Sequence, residues 1–150
     1  MKTIGLIWVA LVSMSSAHGQ TKKIVFVCEH GSAKSTIAAA YFNKLAKEKN
    51  LPWEAVSRGT NPDQEISAKT KKLLTQDNLL DNNFVPQKLS QEDIDAADQI
   101  ILFYPLPETI QGKNKIKDWQ QVQAVNEDFE QLRNDIVEKI NPLIDSLTKQ

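Results

Sequence analysis

The chain has 150 residues, 41% apolar and 25% charged, with 18 Lys+Arg against 19 Asp+Glu and a formal charge of −1. That size fits one α/β domain, the charge gives no basic field for a nucleic-acid backbone, and no apolar run reaches the roughly 20 residues that span a bilayer. One cysteine and two histidines exclude an intramolecular disulfide and the usual Cys/His zinc spacings, so neither a metal nor another cofactor is expected.

Lys2 precedes the apolar run Ile4 to Val12, and small residues at Ser13, Ser15, Ser16, Ala17 and Gly19 follow before charge resumes at Lys22. This pattern predicts a secretory signal peptide over residues 1–19, with cleavage before Gln20 or, alternatively, after Ala17. A buried first strand or a retained amphipathic anchor fits less well, because no polar face alternates through the run. The domain is therefore expected over residues 20–150, exported to a periplasm or the medium, with no membrane contact after cleavage. Loss of Lys2 and His18 leaves 17 basic against 19 acidic residues and His30 as the sole histidine. An exported chain that keeps one unpaired thiol, Cys28, calls for a reason.

Lys23 to Cys28 is a β-branched and aromatic run that stops at a polar stretch containing Gly31. Ile37, Ala38, Tyr41, Phe42 and Leu45 then recur at helical spacing, which predicts strand, loop, helix. Pro52 follows the end of that helix, Trp53 to Ser57 reads as a second strand, and Arg58 to Pro62 is a turn signal. Ser67 caps a second helix that buries Leu73 and Leu74, before a break at residues 77–83. Ser90 to Asp93 has capping-box spacing for a brief helix over Ile94–Ala97, and Gln99–Phe103 is a strand apolar enough to be buried on both faces. The last strand lies within Lys115–Val125, over either Ile116–Trp119 or Gln121–Val125. Phe129, Leu132, Ile136, Ile140, Leu143 and Leu147 make an amphipathic final helix, capped by Asn126 and kinked at Pro142. Alternation of strands and helices predicts a three-layer α/β/α fold on a parallel four-stranded sheet. Ligands in such sheets sit beyond the carboxyl ends of the strands, where Cys28 and Tyr104 fall.

The loop Cys28-Glu29-His30-Gly31-Ser32-Ala33-Lys34-Ser35 joins a strand to a helix, so its backbone N–H groups can curl around an anion while the helix N-terminus adds positive potential. The same field, with Lys34 as the loop's cation, favours a thiolate at Cys28, and a thiolate aimed at a tetrahedral oxyanion is a phosphoryl acceptor. An inert core thiol is the bland alternative.

Cys28 to Ser35 resembles the C-x5-R-[ST] loop of the low-molecular-weight protein tyrosine phosphatases and of the related thioredoxin-coupled arsenate reductases. Ser57-Arg58-Gly59-Thr60 resembles that family's Ser-Ala-Gly-Thr, Ile66-Ser67 its helix start, Leu89–Phe103 its L-x-x-x-D-I-x-x-A-D-x-I-I segment, and Trp119 to Ile136 its C-terminal segment. The resemblance implies a phosphotyrosine phosphatase I-like fold with flavodoxin-like strand order. It also implies an oxyanion cradle from Glu29, His30, Gly31, Ser32, Ala33, Lys34 and Ser35, and a Ser35 hydroxyl that hydrogen-bonds the thiolate.

Several departures stand out. Lys34 occupies the family's arginine position and gives a point charge instead of a planar fork. Gly31 replaces the loop asparagine, and His30 the loop glycine. The family's Asp-Pro general acid aligns near Gln120–Ala124, which holds no carboxylate. Asp118 is the nearest candidate, with Glu127 and Asp128 behind it, although each also reads as a turn or helix-start acid. Arg58 stands where the family has a small residue, either supplying the missing guanidinium or lying as a solvated turn residue. His30 reads as a plain exposed residue, with a pH-sensitive loop as the alternative, and Glu29 is expected to face solvent.

The expected activity is a secreted cysteine-dependent phosphatase acting on aryl phosphate monoesters, either small molecules or phosphotyrosine proteins, with no nucleic-acid partner. Arsenate reduction with an external thiol and a catalytically weak oxyanion-binding module are the alternatives. Composition and pattern say nothing of oligomeric state.

Overall fold

The computed structural model describes residues 19–112, 115–123 and 127–149. The expected signal segment, apart from Gly19, and the expected cap Asn126 lie outside them. The described residues form, in chain order, β1 (Lys22–Cys28), α1 (Lys34–Glu48), β2 (Trp53–Gly59), α2 (Ala68–Gln76), α3 (Gln91–Ala96), β3 (Gln99–Leu102), β4 (Ile116–Asp118) and α4 (Phe129–Leu147). The strands form one parallel sheet in the order β2-β1-β3-β4, the expected flavodoxin-like arrangement, in which β1 is central and its carboxyl end opens beside the reversal of strand order.

Strand alternation divides the interior in two. Ile24, Phe26 and Cys28 of β1 face the layer of α1, α2 and α4, with Phe42, Leu74, Ile101, Leu132, Ile136 and Ile140. Val25 and Val27 face the other side, with Leu89, Ile94, Ile100 and Leu102 under the short α3. Three helices therefore cover one face, whereas a six-residue helix and its flanking loops cover the other. Phe26 anchors the thicker layer by ring contacts of about 6 Å with Phe42, Phe103 and Trp119.

Local chemistry accounts for the boundaries. Ser67 caps α2 by accepting from the Thr70 N–H, and Ser90 and Asp93 form a complete capping box at α3. β2 continues to Gly59, two residues past the expected end, because Arg58 and Gly59 pair with Val27 and Cys28. The last strand is the earlier of the two alternatives and ends one residue sooner. Trp119 leaves the strand while its N–H still donates to the Leu102 carbonyl. Asp128 caps α4, accepting from the Gln131 N–H, in the role expected of Asn126. The helix runs on through Pro142 to Leu147. Among the described residues, no helix is long and apolar enough to cross a membrane.

Candidate active site

Cys28 ends β1, and Lys34 begins the fifteen-residue α1. Five residues bridge them, and the carbonyl of each residue from Cys28 to Ser32 has a partner. Cys28, Glu29 and His30 accept from the N–H groups of Thr60, Asn61 and Asp63 at 3.0, 2.8 and 3.0 Å, and Ser32 accepts from Ser67 at 3.2 Å. Gly31 accepts from the Thr36 hydroxyl at 2.8 Å. Among the described residues every peptide is trans, and in a trans peptide the N–H points opposite to the carbonyl of its own plane. Holding five carbonyls against the surrounding chain therefore turns the N–H groups of Glu29 through Ala33 to the other side, where the α1 N-terminus adds its field. The Gly31 N–H already reaches the Cys28 sulfur, at 3.1 Å.

Two glycines make this curl possible. Gly31 has φ +61°, a conformation that an L side chain rarely adopts. A Cβ on Gly59 would stand 2.8 Å from the Gly31 nitrogen and 2.9 Å from the His30 carbonyl carbon. The loop lies directly against the end of β2, so a side chain at Gly59 displaces the cup itself.

Beneath the cup, Cys28 is buried and its sulfur lies 2.9 Å from the Ser35 hydroxyl. Ser35 continues to Ser57 at 2.7 Å, and Ser57 lies 3.1 Å from Thr36. All three hydroxyl residues are buried. Ser35 is thus where the sequence places it. Ser57 and Thr36 were not singled out, since their bonds join residues 22 and 21 positions apart. The available signals were Ser57 at an inward position of the second strand and its place in the segment that resembles the family's Ser-Ala-Gly-Thr.

The rim is charged. Lys34 is half-buried and its ammonium donates to the Val122 carbonyl at 2.5 Å. Burial lowers its affinity for a proton, and the neighbouring charge of Cys28 opposes that shift. His30 is half-exposed, 3.3 Å from Asp63 and 3.5 Å from Glu29, and Asp63 also accepts from the buried Ser32 hydroxyl at 2.5 Å. Glu29 keeps the exposure expected of it.

Two expectations need correction. Arg58 alternates with Ser57 on β2 and so points to the α3 face. There its guanidinium donates to Asp93 at 2.9 Å and to the Ser57 carbonyl at 2.8 Å, and it is neither a solvated turn residue nor a substitute for the family's arginine in the cup. Asp118 pairs with Leu102, whose side chain packs on the α3 face. Its carboxylate accepts from the Gln120 N–H at 2.8 Å in a tight turn, on the opposite side of the sheet from the sulfur. Of the acids behind it, Asp128 is the α4 cap and Glu127 lies exposed, 3.8 Å from Lys69. The segment expected to carry the acid does reach the site, but through the Val122 backbone.

A strand ending in a cysteine, a loop with its carbonyls bonded outward and a following helix N-terminus make an arrangement chemically suited to an oxyanion, with a sulfur at its base. The family model described as low molecular weight phosphotyrosine protein phosphatase matches residues 23–106, more than half of the chain. The chain belongs to this family. Members of the low molecular weight phosphotyrosine protein phosphatase family hydrolyse phosphoric monoesters, and the match includes the whole cup, β2, α3 and β3. Solved structures similar to this phosphatase-family chain include YfkJ from Bacillus subtilis, 21% identical with TM-score 0.77 over 88% of this chain and 98% of that one. The YwlE arginine phosphatase from Geobacillus stearothermophilus is 21% identical with TM-score 0.67, over 85% and 94%. A thioredoxin-dependent arsenate reductase from Corynebacterium glutamicum is 20% identical with TM-score 0.73, over 87% and 64%. At these identities the likeness is one of fold. No match was found among curated proteins.

Proposed function

We propose that this chain is an exported cysteine-dependent phosphatase for aryl phosphate monoesters, with Cys28 as nucleophile. The observation that carries the reading is the outward bonding of the five carbonyls from Cys28 to Ser32, which aims successive amides at the space above a buried sulfur. Such preorganised donors stabilise the equatorial oxygens of a phosphoryl group in transfer. In the proposed reaction the Cys28 sulfur forms a bond to phosphorus as the ester P–O bond breaks. The leaving oxygen departs with the electron pair, and water then attacks phosphorus and breaks the S–P bond, giving inorganic phosphate and returning the electron pair to the Cys28 thiolate. Lys34 supplies a positive charge to the oxygens, and Ser35 hydrogen-bonds the sulfur as attacking and as leaving group.

Substrate class follows from the missing acid. Asp118 lies on the far face and Asp128 is taken up as the α4 cap, and the segment after β4 meets the cup through the Val122 carbonyl. A phenolate leaves with little assistance and an alkoxide does not, which favours phosphotyrosine-like esters over alkyl phosphates. Export is inferred from the Lys2-led apolar run and its small-residue end.

Hydrolysis of p-nitrophenyl phosphate by the mature protein, compared with Cys28→Ser, tests the reading. Turnover lost in the serine variant is the expected result, and equal rates overturn it. One cysteine in the whole sequence leaves no partner thiol for an internal relay, so arsenate reduction here needs an added thiol. Arsenite formed with a small thiol, in the absence of ester hydrolysis, favours that second reading.

A further inference from the structure

Four of the five carbonyls that shape the cup are held by backbone N–H groups of the segment between β2 and α2. The Gly31 carbonyl is the exception, held by a side chain, the Thr36 hydroxyl. That carbonyl shares its peptide plane with the Ser32 N–H, one of the amides turned toward the cup. It also belongs to the loop's one glycine, at φ +61°, the residue with the least steric resistance to rotation of the following peptide. A rotation of that plane would bring a carbonyl dipole to the place of an N–H and repel an oxyanion.

We propose that Thr36 is the latch of the phosphate cup, a positioning residue whose hydroxyl keeps the Gly31–Ser32 peptide in its anion-accepting orientation. The proton supply of the buried relay makes this hold independent of the charge of the sulfur. With Cys28 protonated, four protons serve four links in one direction, from Cys28 to Ser35, Ser57, Thr36 and the Gly31 carbonyl. With Cys28 as thiolate, Ser35 donates to sulfur and Ser57 to Ser35, and the 3.1 Å Ser57–Thr36 contact gives up its proton. Thr36 donates to Gly31 in both states. Ser35 and Ser57 reorient during a catalytic cycle, while Thr36 stays fixed.

The functional part of the proposal rests on the phosphatase reading, but the latch does not, so the test has two arms. Calorimetry with tungstate measures the cup, and hydrogen exchange at the Ser32 amide measures the peptide, in the wild type, Thr36→Val and Thr36→Ser. Loss of the hydroxyl leaves a buried carbonyl unpaired, so Thr36→Val is expected to bind tungstate about tenfold more weakly or worse and to exchange faster at Ser32. Thr36→Ser is expected to match the wild type in both arms. Wild-type affinity and exchange in Thr36→Val, or equal impairment in Thr36→Ser, overturns the latch. A wild type that ignores tungstate refutes the phosphatase reading, and Ser32 exchange then decides the latch alone. If Thr36→Val does not fold, Thr36→Ala removes the same hydroxyl without a β-branch and is read in the same way.

Discussion

Lys34 shows how one residue sets the limits of this site. Its ammonium is a single charged point, bonded to the Val122 carbonyl, where a guanidinium would offer a planar pair of donors to two phosphoryl oxygens. Lys34→Met keeps the length of the side chain and removes the charge. On the proposed mechanism it is expected to lower kcat/KM for p-nitrophenyl phosphate by about 10²-fold, the scale of losing one well-placed oxyanion donor, with Cys28 intact. Steady-state kinetics on the two proteins checks this, and an unchanged value removes Lys34 from the reaction. Gly59→Ala acts by another route. Its Cβ would meet the loop backbone below 3.0 Å, so the cup must shift, and tungstate binding is expected to be lost while the melting temperature falls.

Residue-scale legibility was uneven for a physical reason. Cys28, Lys34 and Ser35 were readable because the whole loop is contiguous and its anion-binding logic is local. Arg58 and Asp118 were misread because a strand alternates faces at every residue, so the end of a strand must be known to the residue before its last side chains can be assigned a side. Thr36 and Asp63 gave no local signal, since they act on the loop from the first turn of α1 and from the segment after β2.

At the scale of elements, the cup depends on α1 keeping its place against α2 and α4. The buried Tyr41 of α1 donates its hydroxyl to Asp77, which caps the end of α2, and Arg133 of α4 donates to the same carboxylate at 3.2 Å. Three helices thus meet at one carboxylate. The Tyr41 hydrogen bond, aided by Arg133 against the effect of burial, holds the Asp77 carboxyl below the ordinary carboxylate range. A carboxyl whose folded value is depressed stabilises the fold above its unfolded pKa of about 3.9 and loses that contribution as pH falls through the lower folded value. Asp77→Asn is expected to cost about 1–3 kcal/mol at neutral pH, and the gap to the wild type should close as the pH falls below the carboxylate range. Urea unfolding at several pH values measures it, and a gap independent of pH contradicts the assignment. Tyr41 has the opposite sign. Burial, with Asp77 beside it, raises its phenol above the ordinary value, so its contribution persists through neutrality and declines only in strong alkali.

The elements themselves were largely legible. Capping residues at Ser67 and Ser90, and the apolar runs of β1 and β3, mark their boundaries by local chemistry. β4 was not, because its three residues are all exposed at a sheet edge and carry no burial pattern. β2, the other edge, shows why edges are hard to read from sequence alone. The Asn43 amide of α1 pairs with both the N–H and the carbonyl of Ala55, so a helix side chain completes a ladder that no sequence period announces.

Taken as a whole molecule, a central strand delivers one sulfur to the carboxyl edge of the sheet, a three-helix layer braces the loop beyond it, and the thin α3 face takes Arg58 and Asp118 away from the reaction. Those two diversions predict a division of labour between the chemical steps. Phenolate departure needs little proton transfer, whereas hydrolysis of the phosphocysteine needs an activated water, and the segment expected to carry the family's acid meets the cup through the Val122 carbonyl instead. The second step should therefore be the slow one, and the covalent intermediate should accumulate during turnover of an aryl ester. Acid-quenched mass spectrometry of the mature protein reacting with p-nitrophenyl phosphate tests this most directly. The account predicts a single phosphoryl adduct mapped to Cys28, whereas turnover without any adduct, or with the adduct on another residue, would contradict it.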